Sequence, residues 1–213
     1  MRFYFDFISP YAYLGWRRIH GVAERHGLAV EPVPVLFAAM LDAWGHKGPA
    51  EIPPKRIYTW KHVVRLAHDA GVPIRPPPAH PFNPLLALRI ASLPLAVADR
   101  RRVIDLLYTR AWARGEGVTD PEALVAALDG IGLPGRDLVR RANDPETKDE
   151  LKSQTAEALA LGVFGVPSVE VRGEVFWGQD SFGHLDRFLA GDDPVTPESL
   201  DRWKDLPVGA SRV

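Results

Sequence analysis

Apolar and polar positions change rhythm three times along the chain. Residues 2 to 7 (Arg-Phe-Tyr-Phe-Asp-Phe) are aromatic around a single acid and stop at Ser9-Pro10, where Ser suits a helix N-cap and Pro the first helical turn. This predicts a strand, a short turn and a helix. From 11 to 26, Tyr11, Leu14, Ile19, Val22 and Ala23 recur at three- and four-residue intervals before Gly27, a suitable helix stop. Residues 28 to 36 carry Leu28, Val30, Val33 and Val35 with two prolines, which suits an edge or irregular strand. The first 36 residues thus read as a βαβ unit.

From 37 to 83, Gly- and Pro-rich stretches surround one helical pattern near 54 to 70, and Pro76-Pro77-Pro78 is stiff connector. Residues 84 to 162 are rich in Ala, Leu and Arg, with helix punctuation at Thr119-Asp120-Pro121, Leu133-Pro134-Gly135 and Asn143-Asp144-Pro145. Four or five short helices are predicted there. After Gly162 the rhythm returns to β, with Pro167 to Val171, a turn at Gly173 and Val175 to Trp177, followed by a last helix near 180 to 189. The order is that of an α/β, thioredoxin-like fold with an all-helical insertion domain. Segments 1–36 and 163–190 form the thioredoxin-like part, with connector and helix from 37–83; 84–162 is the insertion, and 191–213 a loosely attached tail.

A chain of 213 residues suits one compact unit carrying a large insertion. No run reaches the roughly 18 apolar residues of a membrane span, and the N-terminus, with one Arg and then Asp6 inside its apolar run, is not built as a signal peptide. A cytoplasmic protein is expected. Lys plus Arg number 26 against 27 for Asp plus Glu, so no polyanionic partner such as nucleic acid is indicated, and Arg100-Arg101-Arg102 reads as a solvated helix face. There is no cysteine, which excludes disulfide scaffolds, thiolate metal sites and a redox cycle on the protein's own sulfur. The histidines give no metal pattern: His20 and His26, like His62 and His68, are six apart and leave one helix face. Any sulfur chemistry must use a ligand's sulfur.

Three short motifs carry candidate chemistry. Ser9-Pro10-Tyr11 lies where a strand hands over to a helix; unpaired amides and the helix dipole there stabilise an anion, including a thiolate, although a plain capping role fits as well. Gly165-Val166-Pro167-Ser168 enters the second β segment. A cis Val-Pro bond would turn the Val166 N–H and C=O outward to pair with a peptide-like ligand, whereas a trans bond would simply open a strand. In Trp177-Gly178-Gln179-Asp180-Ser181, Asp180 or Ser181 caps the last helix, or Asp180 holds the charged amino-acid end of a ligand. Asn83 suits the N-cap of a helix starting at Pro84, and Lys55, Arg56 and Lys61 are either solvated surface or an attraction for a carboxylate.

Phe3 to Gly15 (FYFDFISPYAYLG), Gly162 to Ser168 (GVFGVPS) and Phe176 to Asp180 (FWGQD) together resemble the 2-hydroxychromene-2-carboxylate isomerases, which group with kappa-class glutathione transferases and DsbA-like thioredoxins. The resemblance spans about residues 2 to 190. It implies a homodimer that uses glutathione as cofactor, held by backbone beside a cis proline at Pro167, with Ser9 in the place of the usual redox Cys and hydrogen-bonded to the glutathione thiolate. Pro10, Tyr11, Val166, Pro167, Gln179, Asp180 and Ser181 are then the candidate glutathione contacts. Lys55, Lys61 and Asn83 are candidates for a small aromatic carboxylate substrate, and Glu51 stands near where the family often has an Asn among its ligand contacts. The implied reaction is cis-trans isomerisation by reversible thiolate addition. A kappa-like transferase and a non-catalytic binding module remain the alternatives, and a disulfide oxidoreductase is disfavoured for want of cysteine.

Overall fold

The computed structural model describes residues 1–207 and 209. Strand β1 (Arg2–Phe5) leads through a four-residue turn into helix α1 (Pro10–Arg25), and β2 (Glu31–Pro34) returns parallel to β1. Helix α2 (Phe37–Ala43), a 3₁₀ turn at Pro49–Glu51 and helix α3 (Pro53–Asp69) follow. Five helices then run in succession: α4 (Leu85–Ser92), α5 (Val97–Tyr108), α6 (Pro121–Gly130), α7 (Gly135–Arg141) and α8 (Pro145–Ala160). A π-helical turn, Thr109–Ala113, extends α5. Strands β3 (Ser168–Val171) and β4 (Glu174–Trp177), a 3₁₀ turn at Gln179–Ser181, helix α9 (Phe182–Leu189) and helix α10 (Pro197–Lys204) complete the order. The four-stranded sheet runs β2-β1-β3-β4, with β1 and β2 parallel and the other pairs antiparallel.

Because β1 is central, both its faces must be covered, and its side chains alternate between two apolar clusters. Phe3 and Phe5 join Phe7, Trp16 and Tyr108 in the larger cluster, which the insertion helices close; Tyr4 faces the smaller one with Val35, Met40, Ala158, Val163 and Val166. Most rings in the larger cluster meet edge-on or tilted, such as Phe5 with Phe7 at 5.3 Å and Phe7 with Tyr108 at 4.8 Å, while Phe3 and Phe5 are stacked at 6.0 Å. Buried polar tips find partners across the same boundary. The Trp16 indole N–H donates to Asp105 at 2.6 Å, and the Tyr13 hydroxyl to the Pro73 carbonyl at 2.8 Å.

The predicted order βαβ, helices, ββα is present, with β2 at a sheet edge as its prolines require. Several details differ. Helix α2 and the 3₁₀ turn at 49–51 occupy a region expected to hold a single helix; the stretch Phe37 to Leu41 is too short to show a period by itself. The helix expected from Pro84 begins at Leu85, whose amide donates to Asn83 Oδ1 at 3.0 Å. Arg100 and Arg102 are not merely solvated, since their guanidinium groups reach the carbonyls of Leu93 and Ile131. The tail contains a helix, α10, opened by a Thr196 cap and leaving Leu200, Trp203 and Leu206 exposed; positions 208 and 210–213 of the tail lie outside the described residues.

Phe5 is fully buried among four aromatic rings. Phe5→Ala should therefore cost roughly 3 to 5 kcal/mol, measured as a shift in the urea unfolding midpoint at constant slope.

Candidate functional site

The turn between β1 and α1 is pinned from several directions. Asp6 is wholly buried; one carboxylate oxygen accepts the Ile8 amide at 3.0 Å and the other the Phe37 amide at 2.9 Å, while its own carbonyl accepts the Ser9 amide at 3.2 Å. From the insertion, the Trp112 indole N–H donates to the Phe7 carbonyl at 2.8 Å. From the connector, His80 Nε2 lies 3.0 Å from the Ile8 carbonyl, and its ring is held between Trp60, Phe82 and Trp112. Burial lowers the His80 pKa, so the neutral ring, with Nε2 as the donor, is favoured. Burial pushes Asp6 up to about 7 against the pull of its two amides.

This places Ser9 at the N-cap of α1. Its Oγ accepts the Ala12 amide at 3.2 Å and its carbonyl the Tyr13 amide, also at 3.2 Å. The hydroxyl hydrogen has no acceptor among the described residues, and neither does the Tyr11 amide. Pro10 has no N–H to satisfy. Two donors therefore stand free at the positive end of a sixteen-residue helix.

The other two motifs converge on the same helix because position 15 carries no side chain. A Cβ on Gly15 would lie 3.3 Å from Pro167 Cγ, 3.4 Å from the Phe182 ring and 3.5 Å from Gln179 Cβ. The Val166-Pro167 bond is cis, and neither the N–H nor the C=O of Val166 has a partner among the described residues. The Pro167 carbonyl is used, accepting the Gly178 amide at 2.8 Å, which ties the second motif to the third. Gly165 lets the Trp177 indole pack close, since a Cβ at that position would stand 2.7 Å from it and force the ring to shift.

The candidate contacts divide sharply by whether they are free. Gln179 is 4% exposed, and its Oε1 and carbonyl both accept from Arg18, whose guanidinium also lies over the Phe182 ring, so these two acceptors are used within the fold. Ser181 donates to the Gly178 carbonyl at 2.7 Å, and neither it nor Asp180 caps α9 through its side chain, contrary to the capping expectation; the intervening 3₁₀ turn takes the position a cap would need. Asp180 is left exposed and unpaired among the described residues. The Tyr11 hydroxyl is 3.0 Å from His62 Nδ1 on α3, and Tyr58 lies against the same imidazole. Burial raises the Tyr11 pKa, opposed by a hydrogen bond from Thr59, so the phenol stays protonated.

Helix α3 is thus docked on α1 by the face bearing His62. Lys55, seven residues earlier, shares that face, whereas Lys61 lies between Ile57 and Val64, both exposed, on the outer side. Lys61 thus lies on a different face of α3 from His62 and Lys55. Asn83 Oδ1 accepts the Leu85 amide, and Glu51 accepts the Gly48 amide at 2.6 Å inside its 3₁₀ turn. Asp6, Arg18, His62, His80 and Trp112 were not among the candidates. Only Asp6, an acid set within an apolar strand, carried a signal that could have been read.

A family model described as a DSBA-like thioredoxin domain matches residues 1–190. A 2-hydroxychromene-2-carboxylate isomerase of Sphingobium xenophagum is 28% identical over 190 residues, 88% of this chain and 96% of its own. Glutathione S-transferase kappa 1 of Homo sapiens is 24% identical over 179 residues, covering 77% of each chain. The solved structure of a 2-hydroxychromene-2-carboxylate isomerase shares the fold at a TM-score of 0.83 and 20% identity, over 97% of this chain and 98% of that one.

With one capping bond to lose, Ser9→Ala should lower stability by about 1 kcal/mol and leave the far-ultraviolet dichroism unchanged; chemical denaturation checks both.

Proposed function

The chain belongs to the DSBA-like thioredoxin domain family, and on that premise we propose that it is a cytoplasmic, homodimeric, glutathione-dependent cis-trans isomerase acting on 2-hydroxychromene-2-carboxylate or a related small aromatic carboxylate. The observation that carries the reading is the free Ser9 hydroxyl hydrogen at the N-terminus of α1, the helix against which the cis Val166-Pro167 segment, with its unpaired Val166 backbone, packs at Gly15. These groups fit glutathione. A peptide-like ligand needs a backbone donor and acceptor, which Val166 offers, and an anionic sulfur needs donors, which Ser9 and the Tyr11 amide offer. Bound glutathione supplies a thiolate that adds reversibly to a conjugated double bond, so that rotation can occur about it.

The chain's own residues do the rest. The Ser9 hydroxyl and the α1 N-terminus favour the thiolate over the thiol, lowering the pKa of the sulfur. Ser9 acts as a hydrogen-bond donor and forms no covalent bond. Asp180, exposed and unpaired among the described residues, suits the ligand's ammonium end. Lys55, on the α3 face turned to α1, suits the substrate carboxylate. His62 holds the Tyr11 ring in place, bordering the sulfur position with an aromatic wall.

The kappa-class match supports a second reading, transfer of glutathione onto an electrophile, since the same donors would serve. The fate of the sulfur separates them, because a transferase consumes glutathione and an isomerase returns it. The test is to follow isomerisation of 2-hydroxychromene-2-carboxylate with and without glutathione while counting free thiol. Dependence on glutathione with constant thiol is expected; equal rates in its absence would sink the proposal. Ser9→Ala should lose about 100-fold in turnover near neutral pH, while glutathione should still raise the melting temperature through the Val166 and Asp180 contacts.

A further inference from the structure

Asp6 is unusual among the groups around the turn, since a carboxyl with no solvent exposure is placed three residues before the candidate catalytic hydroxyl. Its oxygens do not meet a basic side chain. They accept two backbone amides that belong to different parts of the fold: Ile8, in the turn itself, and Phe37, the first residue of α2. The Asp6 backbone carbonyl holds the amide of Ser9. One residue thus fixes both the path of the turn and its distance from α2. The ionised carboxylate can accept both amides at once. A protonated carboxyl must turn one oxygen into a donor facing an N–H, so one of the two bonds is weakened.

We propose that Asp6 is a positioning residue that aims the Ser9 hydroxyl and the first-turn amides of α1 at the ligand sulfur, and that the aim is kept only while its carboxyl is ionised. The inference rests on the reading that Ser9 serves a bound sulfur. The surroundings leave little else to set the titration. Burial raises the pKa to about 7, and the Ile8 and Phe37 amides oppose it. The Tyr108 hydroxyl of α5 is fully buried and without a hydrogen-bond partner among the described residues; burial and the Asp6 charge push its pKa well above the usual value, so it stays neutral. From the connector His80 meets the Ile8 carbonyl on the far side of the turn and is kept neutral by burial. The α2 side presents the Phe37 amide alone, and α8 presents the neutral Thr155 hydroxyl, which accepts the Leu36 amide at 3.0 Å.

The sign for stability is opposite to that for activity. With its folded pKa above its unfolded value of 3.8, Asp6 favours the folded state most below about pH 4, and that contribution is lost as pH rises to 7 and beyond. Ionisation that serves the site loosens the fold.

The test begins without ligand. Amide signals of Ile8 and Phe37, followed by proton–nitrogen correlation spectra against pH, should move with a midpoint near 7, and the Ala12 amide, bonded to Ser9 Oγ, should move with them. In Asp6→Asn this common step should vanish. An Ala12 amide that ignores the titration of Ile8 overturns the proposal. With glutathione, the thiolate absorbance of the bound ligand should show a thiol pKa about one unit higher in Asp6→Asn, with turnover about tenfold lower; loss of packing alone would lower the melting temperature and leave that pKa unmoved. If Asp6→Asn does not fold, Phe37→Pro removes one donor at a first-turn position that tolerates proline. It should shift the step to higher pH, and an unmoved step overturns the proposal. Failure of glutathione to stabilise the wild-type protein would instead count against the isomerase reading, leaving the ligand-free titration to stand or fall independently.

Discussion

Everything in the candidate site depends on keeping four residues of exposed-ended backbone, Asp6 to Ser9, in one conformation. A turn that links a central strand to a helix carries polar groups into the core, and each must be bonded or cost a large part of the net stability. The molecule answers with three partners, the turn's own Asp6 carboxylate and, from outside it, the Trp112 indole and the His80 imidazole. Two of the three come from the connector and the insertion. The helical insertion is therefore more than a cover over the sheet, because without it the Phe7 carbonyl would be buried and unpaired.

Once the turn is fixed, the remaining parts need only approach it. Gly15 permits Pro167 and Gln179 to lie against α1, and Arg18, one turn further along the same helix, grips the 3₁₀ turn that follows β4. The two segments are thus both referenced to α1 as well as to each other. Charge plays a small part in this assembly. The ion pairs are largely at the surface, such as Arg136 with Glu122 and Lys152 with Asp149, where each contributes little. Asp180 and Lys55 take part in no such pair among the described residues.

Much of this was legible in the sequence, because its cues are local. Ser9-Pro10 and the prolines of β2 state their positions through fixed backbone preferences, and the starts of α6, α7 and α8 fall at Pro121, Gly135 and Pro145 as the punctuation implies. What could not be read were partnerships across long separations. Trp112 and Phe7 are 105 residues apart, and Arg18 and Gln179 are 161 apart; nothing in either segment alone announces the other. For the same reason nothing near Gln179 indicated that its Oε1 and carbonyl are held by Arg18. Lys55 and Lys61 looked equivalent in composition, and only the docking of α3 by its His62 face distinguishes them.

The π-helical turn after α5 sets how Trp112 is aimed. Each residue of an α-helix advances about 100° around its axis, so the extra residue held in Thr109–Ala113 rotates everything after it by a comparable angle relative to an unbroken helix. Trp112 reaches the Phe7 carbonyl only in that phase. The insertion and the strand-to-helix turn are consequently coupled by chain length as well as by residue type: a single deletion in α5 would keep every side chain named here and still point the indole elsewhere. A one-residue insertion or deletion between Val97 and Trp112 would therefore act on the strand-to-helix turn from a distance, through phase alone.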